Sequence, residues 1–577
     1  VLTTQEIARR LLVDGEGGGW DAAAGDVLTV DLHRLDGALG LSLARAALEE
    51  WSLLTGLRFE EVSFAGTLLR EGADAPDGPE GAPRLAAGDA FEGRIEPGDA
   101  DWVRVALDDP GLHALQVEEW GPDGLAEPVL EMRLAERGAD GPGIVAPHGA
   151  PATARGNPGF VETLWRFDRA QIEAYDVWLR VSGRDGAAGA YRLSVLEADP
   201  GERPDITVRE PAEGAAHADR FRDEAGRLTH AAVEVPTSWL EPWEAADTWG
   251  PDAVSTYLHE MGHALGLEHP GDYDGVATYE EDAAFANDGR HTSVMSYFWQ
   301  SESSEFADAT PFSPMEADGA AALLLYGPHA VRAGDTVYGQ GSTAGGTMDL
   351  IARDPDGALA IAIRDDGGED ALRLEGLGQA GKRLDLRPGA RSDVWGAGTL
   401  FIAEGTVIEH ASTGEGPDTI LGNAASNRLT AGAGDDDIRG GGGDDVLGGG
   451  PGSDRLTGGP GHDAFAFAGA FGSDVVTDFG PGDRIEIAAD APALVGLSAE
   501  GADALLTFAG GASIRLTDRA GIALAETRED GALRLAEAQE PGGLTLRGGP
   551  SADVLAGGSG GDRIVGRDGE DRLEGGA

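Results

Sequence analysis

The chain has 577 residues, of which 91 are Gly and none is Cys, and its 102 acidic side chains against 43 basic ones give a formal net charge of −59. The absence of Cys excludes a disulfide framework and thiolate metal sites, and the charge opposes binding to nucleic acid or to an anionic membrane. A hydrophobic share of 41% is too high for a disordered acidic polymer. Cores can form, so the negative charge must be met locally, and bound cations are the obvious agent. No apolar run approaches the ~20 residues that cross a bilayer; Ala320 to Leu325 is short and reads as core. The chain opens on Val1-Leu2-Thr3-Thr4 with no signal-peptide pattern, which reads as a processed or trimmed end. Lys382 is the only Lys, the other basic residues being Arg, a bias that a GC-rich genome accounts for.

Residues 1 to about 65 predict mixed α/β structure. Leu28 to Leu32 alternates as a strand, Gly40 to Leu54 has helical apolar spacing, and Leu57 to Val62 is again strand-like. From about 66 to 84 the Gly, Pro, Asp and Glu content suits a linker. Short alternating strands follow to about 200, among them Asp101 to Val105, Tyr175 to Leu179 and Tyr191 to Val195. Trp102, Trp120, Trp165 and Trp178 lie in this block, and alternation places Trp102 and Trp178 in its core. Helical texture returns between about 238 and 326, and from about 330 the chain is Gly/Asp-rich and strand-like.

The last region repeats with a period of nine: Gly at positions 1, 2 and 4, Asp at 6 and a large apolar residue at 8. Good copies begin at Gly440, Gly449 and Gly458, with a near copy at Ala431 and poorer ones at Thr413 and Gly422, the last carrying Asn427 in the Asp position. A second run begins at Gly548, Gly557 and Gly566. Gly permits the tight turn, and turn carbonyls with the Asp carboxylate supply hard oxygens for Ca²⁺. The apolar residue faces a core. The expected calcium residues are Gly432, Gly434 and Asp436; Gly441, Gly443 and Asp445; Gly450, Gly452 and Asp454; Gly459, Gly461 and Asp463; and Asp553, Asp562 and Asp571 in the second run. Stacked turns of this kind make a parallel β-roll, and the unit resembles the Ca²⁺-binding nonapeptide (RTX) repeat.

The segment His259-Glu260-Met261-Gly262-His263-Ala264-Leu265-Gly266-Leu267-Glu268-His269 carries the chemistry. His259 and His263, four apart, lie on one helix face and can take two corners of a Zn²⁺ tetrahedron. Val254, Leu258, Met261 and Leu265 form the stripe that anchors the helix, Gly266 lets the chain turn, and His269 returns as third ligand. Glu260 is placed to take a proton from metal-activated water. Ser293-Val294-Met295-Ser296-Tyr297 stands where a Met-turn is expected, and the extended motif with that turn points to the metzincin proteases.

Here the chain resembles the serralysin family of secreted, zinc-dependent bacterial endopeptidases with a C-terminal RTX β-roll. The resemblance rests on the motif with Pro270 behind it, Gly271 to Gly275, Phe285 to Asp288, the N-terminal Leu2 to Phe59, Thr237 to Leu240, Gly334 to Gly339 and Arg364 to Leu374. It implies that Tyr297 is a labile extra ligand that swings to stabilise the oxyanion, and that Met295 forms a hydrophobic floor under the zinc. It implies further calcium contacts at Arg332, Gly334, Thr336, Asp365, Gly367 and Asp370, with Gly368 and Glu409 at a neighbouring ion. Gly472 to Ile487 resembles a strand hairpin that follows the family's repeats. The resemblance also implies export through type I secretion machinery, an extracellular bacterial location, protein or peptide substrates and a monomer.

The expected architecture is multidomain α+β. A metzincin zinc-protease domain (1–65 and 201–328) is interrupted by a β-sandwich (66–200) that looks like a pre-peptidase C-terminal-like module. A calcium-bound parallel β-roll domain follows over 329–540, with nonapeptides at 413–466, and 541–577 is a second, apparently truncated repeat run. The expected cofactors are one catalytic Zn²⁺ and several structural Ca²⁺, and the expected function is endopeptidase. The alternative is a calcium-dependent extracellular surface or matrix protein whose protease part is vestigial.

Overall fold

The computed structural model describes residues 1–12, 19–35, 38–62, 204–211, 214–222, 226–244, 250–273, 275, 277–353, 359–377, 381–522, 524–529 and 532–537; in 63–203 and after 537 it describes chiefly strand segments. These residues form two compact units. One comprises Gly18–Leu48 and Leu57–Gly266, the other Val1–Gly17, Glu49–Gly56 and Leu267–Ala577.

In the first unit a five-stranded sheet has the order His217–Arg222, Leu228–Glu234, Ile206–Arg209, Val27–Arg34, Arg58–Glu61. The strands are parallel except His217–Arg222, an antiparallel edge. The alternation of Leu28, Val30 and Leu32 does produce a strand, and these three apolar side chains are buried. Ile206–Arg209 is buried at every position, as expected of a strand covered on both faces. The helix Pro251–Ala264 packs on His217–Arg222 and Leu228–Glu234.

Between Arg58–Glu61 and Ile206–Arg209, the two strands that flank Val27–Arg34, the chain makes two further five-stranded sheets. One has the order Phe160–Phe167, Gly111–Glu119, Gly189–Glu197, Ala90–Ile95, Leu68–Arg70; the other has Arg84–Ala86, Asp101–Ala106, Tyr175–Gly183, Pro128–Glu136, Ile144–Val145. Gly111–Glu119 and Phe160–Phe167 of the first contact Pro128–Glu136 of the second, so the sheets face each other. Trp102 and Trp178 pack together in the buried core, as alternation requires; the side chains of Trp120 and Trp165 lie outside the described residues. The stretch expected as a linker from 66 to 84 contributes a strand, Leu68–Arg70, which pairs in parallel with Ala90–Glu92. Three apolar or long residues between turn formers were enough to add an edge strand there.

The second unit begins with a short helix, Thr4–Arg10, closed by a capping box between Thr3 and Glu6. It packs on Glu316–Tyr326. Beyond residue 330 the chain winds into a roll. Consecutive nonapeptides send their strands alternately into two parallel stacks: His410–Glu415, Arg428–Ala433, Val446–Gly448 and Ala464–Phe467 on one side; Thr419–Leu421, Asp437–Arg439 and Arg455–Thr457 on the other. Each strand therefore pairs with the one 18 residues on, Leu429 with Leu447 and Ile438 with Leu456. In the first run the apolar residue of each repeat points inward: Ile420, Leu429, Ile438, Leu447, Leu456 and Phe465 are fully buried. The second run keeps this register, with Thr545–Arg547 against Arg563–Val565 and Val554–Ala556 against Arg572–Glu574.

The segment read as a hairpin is not one. Ser473–Val476 pairs with Arg455–Leu456 and with Ser513–Leu516, whereas Arg484–Ile487 pairs with Ala464–Phe467 and Leu533–Ala536. The two strands continue opposite stacks, because the alternation of sides outlasts the nonapeptide consensus.

The roll is bound to the segment that precedes it. Thr310–Pro311 pairs in parallel with Leu359–Ala360, the Ser313 hydroxyl accepts the Ala362 N–H at 2.9 Å, and Arg391 donates to the His291 carbonyl at 2.9 Å and to Glu316 Oε1 at 2.6 Å.

In the repeat turns Gly452 has φ +155°, and a Cβ there would overlap the Gly434 carbonyl oxygen of the preceding coil, while a Cβ on Gly442 would meet nothing within 4 Å. Gly452→Ala is expected to lower the thermal midpoint of the roll by about 2–6 °C, in line with ~1–3 kcal/mol of strain, and Gly442→Ala to leave it unchanged; circular dichroism melts of the two variants check this.

Candidate active site and metal centres

The helix Pro251–Ala264 starts from Gly250, with Pro251 in the first turn, where its missing N–H costs nothing, and Asp252 beside it, where a negative charge meets the helix dipole. Val254, Leu258, Met261 and Leu265 are all buried, so the predicted stripe holds the helix in place. The His259 and His263 rings are 4.8 Å apart between centroids, nearly perpendicular. The helix stops at Leu265, and Gly266 adopts φ +99°, a conformation Gly takes without strain, while its N–H returns to the His263 carbonyl at 2.9 Å. His259, His263 and His269 each offer a nitrogen, and these atoms lie within 4.8 Å of one another. All three come from eleven consecutive residues, so the short helix-and-turn itself brings them together.

The tautomer of His269 follows from its neighbour. Its Nδ1 lies 2.7 Å from the Tyr273 carbonyl, which can only accept, so Nδ1 carries the proton and Nε2 presents a lone pair. Three neutral imidazoles suit a borderline divalent ion such as Zn²⁺, leave its charge intact and keep a fourth position open. Glu260, beside His259 in sequence, is 5% exposed. The Tyr297 ring lies 4.6 Å from that of His269 and 5.3 Å from that of Tyr273.

Two buried carboxylates brace this region, and sequence reading assigned neither. Asp318 accepts from the Ser293 hydroxyl at 2.6 Å and from the N–H groups of Val294 and Met315 at 2.7 Å each. It fixes the turn on which Met295 sits, fully buried. Burial pushes the Asp318 carboxyl up to about 6 against these hydrogen bonds. Asp288 accepts from Tyr273 Oη at 3.1 Å and from Ser296 Oγ at 2.9 Å, tying the loop after His269 to the turn that carries Tyr297. Its pKa is also raised by burial. The sequence signals were slight: Asp288 closes the run Phe285 to Asp288 that carries part of the resemblance, and Asp318 sits between Ala317 and Gly319 at the start of a helical stretch.

The roll places its Asp residues in two columns. On one side Asp418 N–H donates to Asp436 Oδ1 at 2.7 Å, Asp436 N–H to Asp454 at 3.0 Å and Asp454 N–H to Asp474 at 2.9 Å. On the other, Asn427 donates to Asp445 at 2.7 Å, Asp445 to Asp463 and Asp463 to Asp483 at 2.9 Å each. Each carboxylate thus spends one oxygen on the adjacent coil. The second oxygen of Asp418, Asp436, Asp445, Asp463 and Asp474 is buried and finds no hydrogen-bond partner among the described residues. Such oxygens, lined up beside glycine turns, are what Ca²⁺ requires. Of the glycines expected at the repeat turns from 432 to 461, all but Gly461 have positive φ. Asn427 carries no charge, and its amide instead donates to the carbonyls of Ile408 and Glu409 at 3.2 and 3.1 Å.

At the start of the roll Asp370 Oδ1 accepts the Thr336 N–H and Glu409 Oε2 accepts the Asp370 N–H, both at 2.8 Å. Asp365 accepts from Tyr338 Oη at 2.7 Å and from Gly367 N–H at 3.0 Å, and Thr336 Oγ1 donates to the Gly334 carbonyl at 2.8 Å. Gly368 comes against Gly334, so these expected calcium residues do converge. The Arg332 guanidinium is committed to Glu50, at 2.9 and 3.0 Å, which leaves only the Arg332 carbonyl for an ion. Asp370 is pushed up to about 7 by burial, with Asp365 and Glu409 adding repulsion. Asp553, Asp562 and Asp571 lie outside the described residues.

Fold and repeats together define a calcium-binding parallel β-roll protein. A family model described as Peptidase M10 serralysin C terminal matches residues 328–495, and one for the RTX calcium-binding nonapeptide repeat (4 copies) matches residues 547–577. Metallopeptidase AprA of Pseudomonas marginalis is 40% identical over 182 residues, 30% of this chain and 38% of that protein. Serralysin B of Dickeya chrysanthemi is 35% identical over 248 residues, 41% of this chain and 50% of its own. Serralysin of Photorhabdus laumondii is 38% identical over 181 residues, 30% and 37% of the two chains. The chain spans at most half the length of these curated relatives. Over these segments it is similar to the serralysin-family metalloproteases, and it carries RTX repeats.

Without metal the columns are strained by charge. Burial, with repulsion between neighbouring carboxylates, pushes Asp445 and Asp454 from the ordinary 3.8 up to about 7 and Asp436 and Asp463 up to about 6. Between 3.8 and those values the folded roll holds more protons than the unfolded chain, so metal-free stability falls as pH rises through that window. In chelator the roll is expected to melt higher at about pH 5.5 than at about pH 7.5, and saturating Ca²⁺ to remove that gain; melts at the two pH values check the sign.

Proposed function

We propose that the chain is a secreted, zinc-dependent endopeptidase: a metzincin domain formed by residues 1–65 and 201–328, interrupted by a pre-peptidase C-terminal-like β-sandwich at 66–200 and followed by calcium-ordered RTX domains. The observation that carries this reading is the convergence of the His259, His263 and His269 nitrogens within 4.8 Å, with an acidic residue next to the first of them. Zinc, when bound by these three imidazoles, supplies Lewis acidity toward a water and a peptide carbonyl. Glu260 takes the proton of the attacking water and delivers it to the amide nitrogen as the C–N bond breaks. The Tyr297 hydroxyl, next to His269, donates a hydrogen bond to the oxygen that gains charge as the carbonyl becomes tetrahedral. Met295 gives the imidazoles an apolar floor, and Asp318 keeps that floor in place. Substrates are proteins or peptides, and export uses a type I channel, which suits a Cys-free chain that gains its calcium outside the cell.

Glu260→Ala is expected to lower casein hydrolysis by about 10²–10⁴-fold while zinc, measured by atomic emission, stays at one per chain. Substantial cleavage by this variant, or wild-type activity that ignores a zinc chelator, overturns the assignment.

A further inference from the structure

Lys382 is the one lysine of the chain. It is 3% exposed, and its Nζ finds no hydrogen-bond partner among the described residues. A buried ammonium without a counter-group is costly, so its position needs a physical reason.

That position is the head of a carboxylate column. The Lys382 N–H donates to Asp418 Oδ1 at 2.6 Å, the bond that Asp418 makes to Asp436, Asp436 to Asp454 and Asp454 to Asp474. The residues that follow confirm the alignment: Arg383, Thr419, Asp437 and Arg455 are paired in one stack. Lys382 thus stands, coil for coil, where the next four coils have Asp418, Asp436, Asp454 and Asp474. Asp418 Oδ2, on the adjacent coil, is the complementary leftover: buried and without a hydrogen-bond partner among the described residues. A cation and an anion, each without a hydrogen-bond partner among the described residues, stand on adjacent coils of one row, with more than 4.0 Å between the ammonium and the carboxylate.

We propose that the Lys382 ammonium is a built-in cation of this column, serving Asp418 at the end position in the way that calcium serves the later coils. The proposal rests on the calcium reading of the repeats. The chain otherwise uses Arg for its basic residues, and a planar guanidinium fork does not replace a compact point charge; a site built for a spherical ion explains the exception. The first coil on this side then closes without waiting for metal and presents a formed edge on which the calcium-dependent coils assemble.

The test titrates Ca²⁺ into the chelated full-length protein, following the roll by circular dichroism and bound calcium by equilibrium dialysis. Lys382→Met is expected to raise the calcium midpoint at least about threefold, and Lys382→Asp to bind one more calcium than wild type. Equal midpoints together with equal stoichiometry overturn the proposal. A second measurement needs only the wild-type chain. Acetylation by acetic anhydride, read by mass spectrometry, should find Lys382 protected at calcium levels below the roll's midpoint; protection that appears only at or above that midpoint also overturns it. Wild-type circular dichroism that ignores calcium altogether removes the calcium reading itself, a result distinct from a failure of the lysine alone.

Discussion

The parallel coils between residues 418 and 483 are built on the stacking of like charges. A parallel coil of 18 residues, or 20 at the last step of each column, returns each Asp to a place directly beside the previous one. Hydrogen bonding engages one oxygen of each carboxylate and holds the coils in register, while the other oxygen is left facing its neighbours. A divalent ion between coils would convert the repulsion into attraction and add its binding free energy to folding. Gly-rich turns lose much conformational entropy when they order, so without that contribution the same segment has little reason to close.

The dependence does not stop at the roll. Strand pairing between Thr310–Pro311 and Leu359–Ala360, and the Arg391 contacts to the His291 carbonyl and Glu316, attach the roll to the segment that includes the Met295 turn. Glu316 also accepts from Thr4 of the N-terminal helix at 3.2 Å. Order in the roll is thus linked by direct bonds to the turn beside the third imidazole, His269, whose own loop is pinned through Tyr273 and Asp288. The packing of the roll and the geometry of that turn belong to one chain of direct contacts.

Much of this was legible from residue order because the signals were local. The nine-residue period dictates a coil by itself, and the i, i+4 histidines with Gly266 dictate a convergent turn within eleven residues. What escaped was set by distant partners. Asp288 and Asp318 look like ordinary turn and helix residues until Tyr273, Ser293 and Ser296 are brought to them. The segment from Gly472 to Ile487 lacks the repeat consensus, so its two strands looked like neighbours, when the coil sends them to opposite stacks. The strand Leu68–Arg70 was hidden in linker-like composition because an edge strand needs few residues and borrows its order from Ala90–Ile95.

The alternation of nonapeptides between two stacks also sets the unit by which such a roll can lengthen or shorten. Removing two repeats takes out a whole turn, and the remaining columns and inward side chains still meet their counterparts. Removing one transfers every later strand to the opposite wall and leaves both acidic rows broken at the join. Change in this part of the molecule is quantised in steps of 18 residues, and recombination between repeats is productive only at even multiples.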